Sequence, residues 1–255
     1  MRNFVRQLSE LKFYWLPIAL FMVVSYGLYL CLSDDLISEI GDEDQLFENL
    51  TALFFLIAAF FFLRGYLIAG NAWRLFLAVV LFVGFGEEIA WGQRIFGFQT
   101  PDALSEVNVQ REFTFHNIEF LNAHDFNHHL KEGWAKLWTI NFLYKAGCLA
   151  YGFFLPLLVA CSRPVARLAD RMRLPIPPLS LGVWFIANWV VFKATSVFLL
   201  PIGKGEQYYD TIGEISECGS ALVFLVISAY FLDVTRRASS GVRSIRATHA
   251  ALPSA

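Results

Sequence analysis

The sequence predicts an all-α fold: a polytopic transmembrane bundle of six helices with both termini on the cytoplasmic side. Three observations carry this reading. Charged residues make up 16% of the chain and hydrophobic residues 56%, whereas an ordinary soluble domain is about a quarter charged. The apolar residues come in six runs, over about 15–32, 50–67, 73–96, 138–161, 181–200 and 216–234, each near the roughly 20 residues that cross a bilayer. One alternation of sides then gathers nearly all the arginine on a single face, where the positive-inside rule places the cytoplasm.

The first run follows Arg2, Arg6 and Lys12 but has no small-residue cleavage site, since Leu28-Tyr29-Leu30-Cys31 offers none. It reads as an uncleaved signal anchor. The side shared by the termini collects Arg64 and Arg74, then Arg163, Arg167, Arg171 and Arg173, then Arg236, Arg237, Arg243 and Arg246. The other side has only Arg94, Arg111, Lys131, Lys136 and Lys204, and it carries most of the acids and four of the five histidines. The net charge of −2 therefore hides a strongly one-sided distribution. A single transmembrane domain is expected over 1–237, with a disordered Ser/Arg/Ala-rich tail over 238–255. Between spans four and five the basic loop ends in Pro175, Pro177 and Pro178, a stiff connector.

The loop over 97–137 is long enough to hold short helices. Thr100-Pro101-Asp102 is a helix-start signal, and the stretch from about 117 to 133 has helical spacing and many aromatics. A faint parallel repeat of helices one and two in five and six is one reading, and chance matching between apolar helices is the other. An offset of about 169 positions pairs Glu48 with Glu217, Trp15 with Trp184 and Phe55 with Phe224. The cysteines form no C-x-x-C pair, so no metal or redox signature is present. Cys31 and Cys218 both fall near outer helix ends, but spacing alone does not join them.

Four ionisable residues lie inside spans: Glu87, Glu88, Lys145 and Lys193. A charge at mid-bilayer costs about 2.5–3.5 kcal/mol on insertion scales and normally faces the bundle interior, paired. All four lie some seven residues from the outer ends of their helices, about 10 Å at 1.5 Å per residue. Mutual ion pairing between these acids and lysines is therefore expected, with Asn188 as a deeper hydrogen-bonding group. Snorkelling to the headgroups is the competing reading for the lysines, but a glutamate is too short for it. On a continuous third helix Glu87, Trp91 and Arg94 would share one face, and Gly84, Glu88 and Gly92 a neighbouring stripe.

Two blocks dominate the polar side: Glu87-Glu88-Ile89-Ala90-Trp91-Gly92-Gln93-Arg94, and Asn108-Val109-Gln110-Arg111-Glu112 running on to His116-Asn117. A carboxylate, an imidazole and a guanidinium are the groups that acid–base attack on a headgroup needs. Glu87, Glu88, Arg94, Glu112 and His116 are therefore the catalytic candidates, converging on one outward-opening cavity with Glu48 and Glu217 at its rim. Trp91, Gln93, Asn108, Gln110, Asn117, Lys145 and Lys193 are the candidate substrate-binding residues. His124 and His128 are one helical turn apart with Asp125 between them, a spacing similar to H-E-x-x-H. A divalent metal is the cofactor this pair would admit, although no third ligand is fixed by spacing. The bland reading makes these histidines interfacial, bonded to headgroups or loop carbonyls.

The two blocks resemble a family of bacterial multi-pass membrane proteins that carries E-E-I-S-W-G-Q-R followed by N-x-Q-x-E-x-N-L-H-N. The likeness covers about residues 84–118, and this chain departs from it at Ala90, Thr114 and Phe115. Ala90 in place of serine argues against a serine nucleophile there. The resemblance implies a bacterial inner membrane and no particular activity. Membrane lipids are the expected partners, and nucleic acid is not. The leading function is a membrane-embedded hydrolase or transferase acting on a lipid or lipid-linked substrate. A proton-coupled transporter and a non-catalytic assembly protein are the alternatives.

Overall fold

A computed structural model describes residues 2–41, 45–127, 129–199 and 206–250. Five of its helices are each long and apolar enough to cross a membrane: Phe13–Cys31, Leu46–Ala69, Ile140–Cys161, Leu179–Phe198 and Thr211–Ser240. A sixth crossing is a bent pair, Ala72–Glu88 and Ala90–Phe96, whose axes differ by 67°. The protein is a polytopic helical bundle, and counting the bent pair as one span makes six. Among the described residues there are no strands, only the isolated bridges Asn108–Ile118 and His124–Leu130.

In chain order the elements are α1 (Arg2–Cys31), α2 (Asp34–Gly41), α3 (Leu46–Ala69), α4 (Ala72–Glu88), α5 (Gln93–Phe96) and α6 (Asp102–Ser105). After the loop come α7 (Ile140–Leu149) and α8 (Leu155–Cys161), one span joined by a π-helical turn at Ala150–Phe154. Then follow α9 (Arg163–Met172), α10 (Leu179–Leu199) and α11 (Glu206–Ala250). The bundle is built around α11: 72% of its span is buried inside the protein, against 17–39% for the other unbroken spans. Helices α1, α3 and α10 pack against it, and Ile212, Ile215, Ala221, Val223 and Ile227 are the centre of the core.

With the surrounding bilayer as apolar as the side chains, packing between spans depends on close approach. Gly182 of α10 shows how close: a Cβ there would stand 1.6 Å from the carbonyl oxygen of Gly152 in the π-helical turn. The short α3–α4 turn has its own local signals. Gly70 closes α3 in the left-handed conformation and Asn71 accepts the amide of Trp73 to start α4.

Contacts establish which ends lie together. Tyr14 at the start of the first span donates to Asp233 at 2.8 Å, Arg237 pairs with Asp233 at 2.8 Å, and Arg74 after the α3–α4 turn donates to Thr235. The arginine-rich ends therefore share one face, as the charge pattern predicts. Trp15 stacks on Trp184 at 6.4 Å, so the tryptophans matched by the proposed repeat meet on neighbouring helices.

Several expectations change. The last helix continues through the expected disordered tail as far as Ala250; its alanines and arginines are helix formers. The stretch 117–133 is a sequence of turns rather than a helix, because Asn122 and Asp125 side chains capture the amides of His124, Asn127 and His129. Thr100-Pro101-Asp102 does start a helix, but only a single turn, Asp102–Ser105. The basic inner loop contains helix α9, which its sequence spacing had not revealed. Cys31 and Cys218 are both free thiols, one exposed and one buried.

Candidate functional site

The site begins where α4 stops. Ala90 and Trp91 take left-handed conformations (φ 45° and 51°), and Gly92 follows at φ 82°. Only glycine adopts such values without cost, so two of the three residues at the break are held there by their surroundings. Trp91 folds back over Gly86, whose Cβ would meet the indole at 2.9 Å. Its Nε1–H donates to Glu87 Oε1 at 2.6 Å. The expected face of Glu87, Trp91 and Arg94, and the stripe of Gly84, Glu88 and Gly92, both assumed a continuous helix and do not exist. The indole nevertheless reaches Glu87 by a different route.

The second block folds around two buried asparagines. Asn108 Nδ2 donates to the Thr114 carbonyl at 2.8 Å, and its Oδ1 accepts the amides of Gln110 and Glu112 at 3.0 and 3.2 Å. Asn117 Nδ2 donates to Gln110 Oε1, and its Oδ1 accepts from Asn122 at 2.9 Å. Backbone bonds from Val109 to Asn117 and from Glu119 to Val107 close the segment into a narrow loop. Both polar groups of the Asn108 side chain thus have partners, as its burial at 0% exposure requires.

The tip of this loop docks on the broken helix. Glu87 Oε2 accepts the amides of Phe115 and His116 at 2.7 and 2.8 Å and lies 3.1 Å from His116 Nδ1. Gln93 Oε1 accepts the amide of Phe113 at 2.6 Å while its Nε2 donates to Thr100 at 2.8 Å. Arg94 bridges Glu112 at 2.8 Å and Glu48 of α3 at 3.5 Å. The two sequence blocks are therefore two halves of one interlocking surface, with Glu87, Gln93 and Arg94 reading the loop and the asparagines shaping it. Thr100, Thr114 and Asn122 belong to the same network; the sequence marks Thr100 only as a helix start and Thr114 only as a departure from the family pattern, and nothing about a threonine in a loop marks it as a hydrogen-bonding partner.

Glu88, the second acid of the pair, is the exception. Among the described residues it has no hydrogen bond or ion pair, while the carboxylates of Glu217, Glu214, Glu48 and Glu87 lie within electrostatic reach. Tyr144 Oη is buried beside Cys148 and feels both Glu88 and Glu217.

The expected pairing of Glu87 or Glu88 with a lysine does not occur. Lys145 lies 3.9 Å from Glu217 instead, and Lys193 sits over the Phe192 ring at 5.1 Å. The reason is that Glu87 is saturated by the docked loop, and Lys145 finds an acid on the adjacent α11. Asn188 bonds Tyr26 of α1 and Ser216 and Ser220 of α11, at 3.1, 2.6 and 3.0 Å. It ties three helices together below Lys145, beside a small cavity of about 20 Å³ lined by Lys145, Ser216 and Ser220, enough for one water.

Of the two histidines with metal-ligand spacing, His124 sits in the antiparallel bridge to Leu130 with its amide bonded to Asn122. The shared helical face that motivated the pair is absent, and His128 lies outside the described residues. Among the described residues no group of three or more His, Cys, Asp or Glu side chains is arranged to hold a metal ion. No protein-family model, curated protein or solved structure matches the chain.

Proposed function

We propose that this protein is a membrane-embedded enzyme, a hydrolase or transferase acting on a lipid or lipid-linked substrate at the face opposite its termini. His116 is its proton-transfer group and Glu87 the residue that orients it. The observation that carries the reading is the 3.1 Å contact between Glu87 Oε2 and His116 Nδ1, with the same oxygen fixing the backbone of His116. A carboxylate on Nδ1 selects the tautomer that leaves Nε2 free to accept a proton. The imidazole is about a third exposed, open enough to reach a substrate. Glu88, which has no structural task, supplies a second acid or base. Arg94 is engaged by Glu48 and Glu112 and is better cast as part of the dock than as a headgroup clamp.

The lipid character of the substrate rests on the surroundings. Ile95, Phe96, Phe115 and Phe120 are all more than half exposed around the docked loop, an apolar rim suited to acyl chains. The positive-inside rule turns this face to the periplasm or outside, and the resemblance in the two blocks supports a bacterial inner membrane.

The test uses purified protein in nanodiscs made from a bacterial total lipid extract, with mass spectrometry to follow lipid consumption and product formation. His116→Ala should abolish turnover while leaving the melting temperature within a few degrees. A second reading is favoured by one observation: most polar side chains of the two blocks, Glu88 and Arg111 aside, make internal contacts. On that reading the blocks are purely architectural, and turnover that is absent in wild-type protein, or unaffected in His116→Ala and Glu88→Gln, would establish it.

A further inference from the structure

Helix α9 lies at the opposite face and takes no part in the site. Arg163, Arg167 and Arg171 recur at every fourth residue and are all exposed. Val165, Leu168, Ala169 and Met172 occupy the other side of the helix. Of these only Ala169 is buried; Leu168 and Met172 are 56% and 43% exposed. The helix is thus sharply two-sided, with an apolar stripe that the rest of the chain covers only in part.

Its ends fix where it lies. The first residue is one position beyond Ser162, which directly follows the end of the fourth span at Cys161. At the other end, Asn71 Nδ2 donates to the Arg173 carbonyl at 2.7 Å and Trp73 Nε1 donates to the Met172 carbonyl at 2.9 Å. Asn71 lies in the turn between α3 and α4 and Trp73 in the first turn of α4, another span end. A ten-residue helix, about 15 Å long, is thus tied at both ends to the ends of spans.

We propose that α9 is an interfacial helix that binds anionic phospholipid in the leaflet on the side of the termini. Leu168 and Met172 enter the acyl boundary while Arg163, Arg167 and Arg171 contact lipid phosphates. Lipid is the occupant because the exposed apolar side chains sit at a level where a bilayer is already present. The flanking charge is also almost wholly basic, with Asp170 the one acid in the helix. Amphipathic helices with arginine on the polar face bind in this way, each basic residue adding to the attraction. The contact would hold the α3–α4 turn and the start of α10 at a set depth, whatever the chemistry at the other face.

The full-length protein provides the test. Native mass spectrometry from detergent measures retention of added phosphatidylglycerol against phosphatidylcholine. The triple variant Arg163→Gln, Arg167→Gln, Arg171→Gln should retain phosphatidylglycerol about ten- to a hundred-fold more weakly, and the corresponding triple lysine variant should retain it nearly as well as wild type. In parallel, Leu168→Cys carries an environment-sensitive dye, with the exposed Cys31 and Cys161 replaced by serine. Its emission should shift to the blue in nanodiscs and further when phosphatidylglycerol is included. Equal retention by the glutamine variant, or a dye that reports water in both nanodiscs, overturns the proposal and leaves the face for a protein partner. Loss of binding in the lysine variant equal to that in the glutamine variant overturns the charge-based reading too. None of these outcomes depends on turnover at His116.

Discussion

Glu87 Oε2 lies 3.1 Å from His116 Nδ1 across 29 positions of sequence, and the same oxygen holds the amides of Phe115 and His116. One carboxylate at the end of a transmembrane helix thus satisfies its own charge and locks the tip of a loop over the bundle. Charge-assisted bonds of this kind are roughly twice as strong as neutral ones. The pairing explains why neither lysine of the spans is needed at Glu87.

Removing that carboxylate should release the loop. Glu87→Ala is expected to destabilise the folded protein by about 2–4 kcal/mol, because two amides lose their acceptor at once. The check is thermal unfolding in detergent together with limited proteolysis. Cleavage between Glu106 and Glu119 should become much faster than in wild type, and unchanged cleavage would show that the dock does not depend on Glu87.

Arg94 faces two acids at unequal distance, 2.8 Å for Glu112 and 3.5 Å for Glu48. Double-mutant cycles with glutamine should therefore give a larger coupling for Arg94 with Glu112 than for Arg94 with Glu48. Both side chains of the nearer pair keep about a quarter of their exposure, so its coupling should be about 1 kcal/mol rather than the value of a buried pair. The reverse order would displace the loop from its assigned position.

The two lysines of the spans should behave differently. Lys145 has Glu217 at 3.9 Å, whereas Lys193 sits over the Phe192 ring and pairs with no acid among the described residues. Lys145→Met is expected to lower the melting temperature more than Lys193→Met, since it strips an acid of its partner. Equal losses would mean that Glu217 is stabilised by something other than Lys145.

Gly182 and Gly27 make a matched pair of tests. A Cβ at Gly182 would collide with the Gly152 carbonyl, a backbone atom that cannot swing aside, whereas nothing lies within 4 Å at Gly27. Gly182→Ala should cost about 3 kcal/mol or more. Gly27→Ala should be neutral or slightly stabilising through helix propensity. Thermal melts of the two variants decide it, and a tolerated Gly182→Ala would require α10 to sit further from the π-helical turn.

Asp125, in the loop outside the spans, carries a pH dependence. Amides of His129 and Asn127 donate to its carboxylate and hold its pKa below the ordinary 3.8. A lowered folded value contributes stability above the unfolded pKa and loses it as pH falls through the folded one. The amide resonances of Asn127 and His129 should titrate together with a midpoint below 3.8; a midpoint at or above that value would remove the contact.

The sequence by itself determined the membrane bundle, the grouping of the arginine-rich ends and the identity of the two polar blocks. Each is a local property. A span is written in a run of apolar residues because every backbone group must bond within its own helix in lipid, and side is written in the arginines near each end. The internal partners of the blocks were not local. Ala90 and Trp91 carry no glycine or proline signal for a left-handed turn, so helical spacing gave Glu87, Trp91 and Arg94 a face they do not share. The asparagine- and aspartate-rich stretch after His116 could be read as a helix because its side chains compete for the backbone only once a turn has formed. The pairing of Glu87 with His116, of Arg94 with Glu48 and Glu112, and of Lys145 with Glu217 was decided by tertiary structure alone. A buried charge takes the nearest competent partner in space, and a bent helix with a folded loop sets which partner that is.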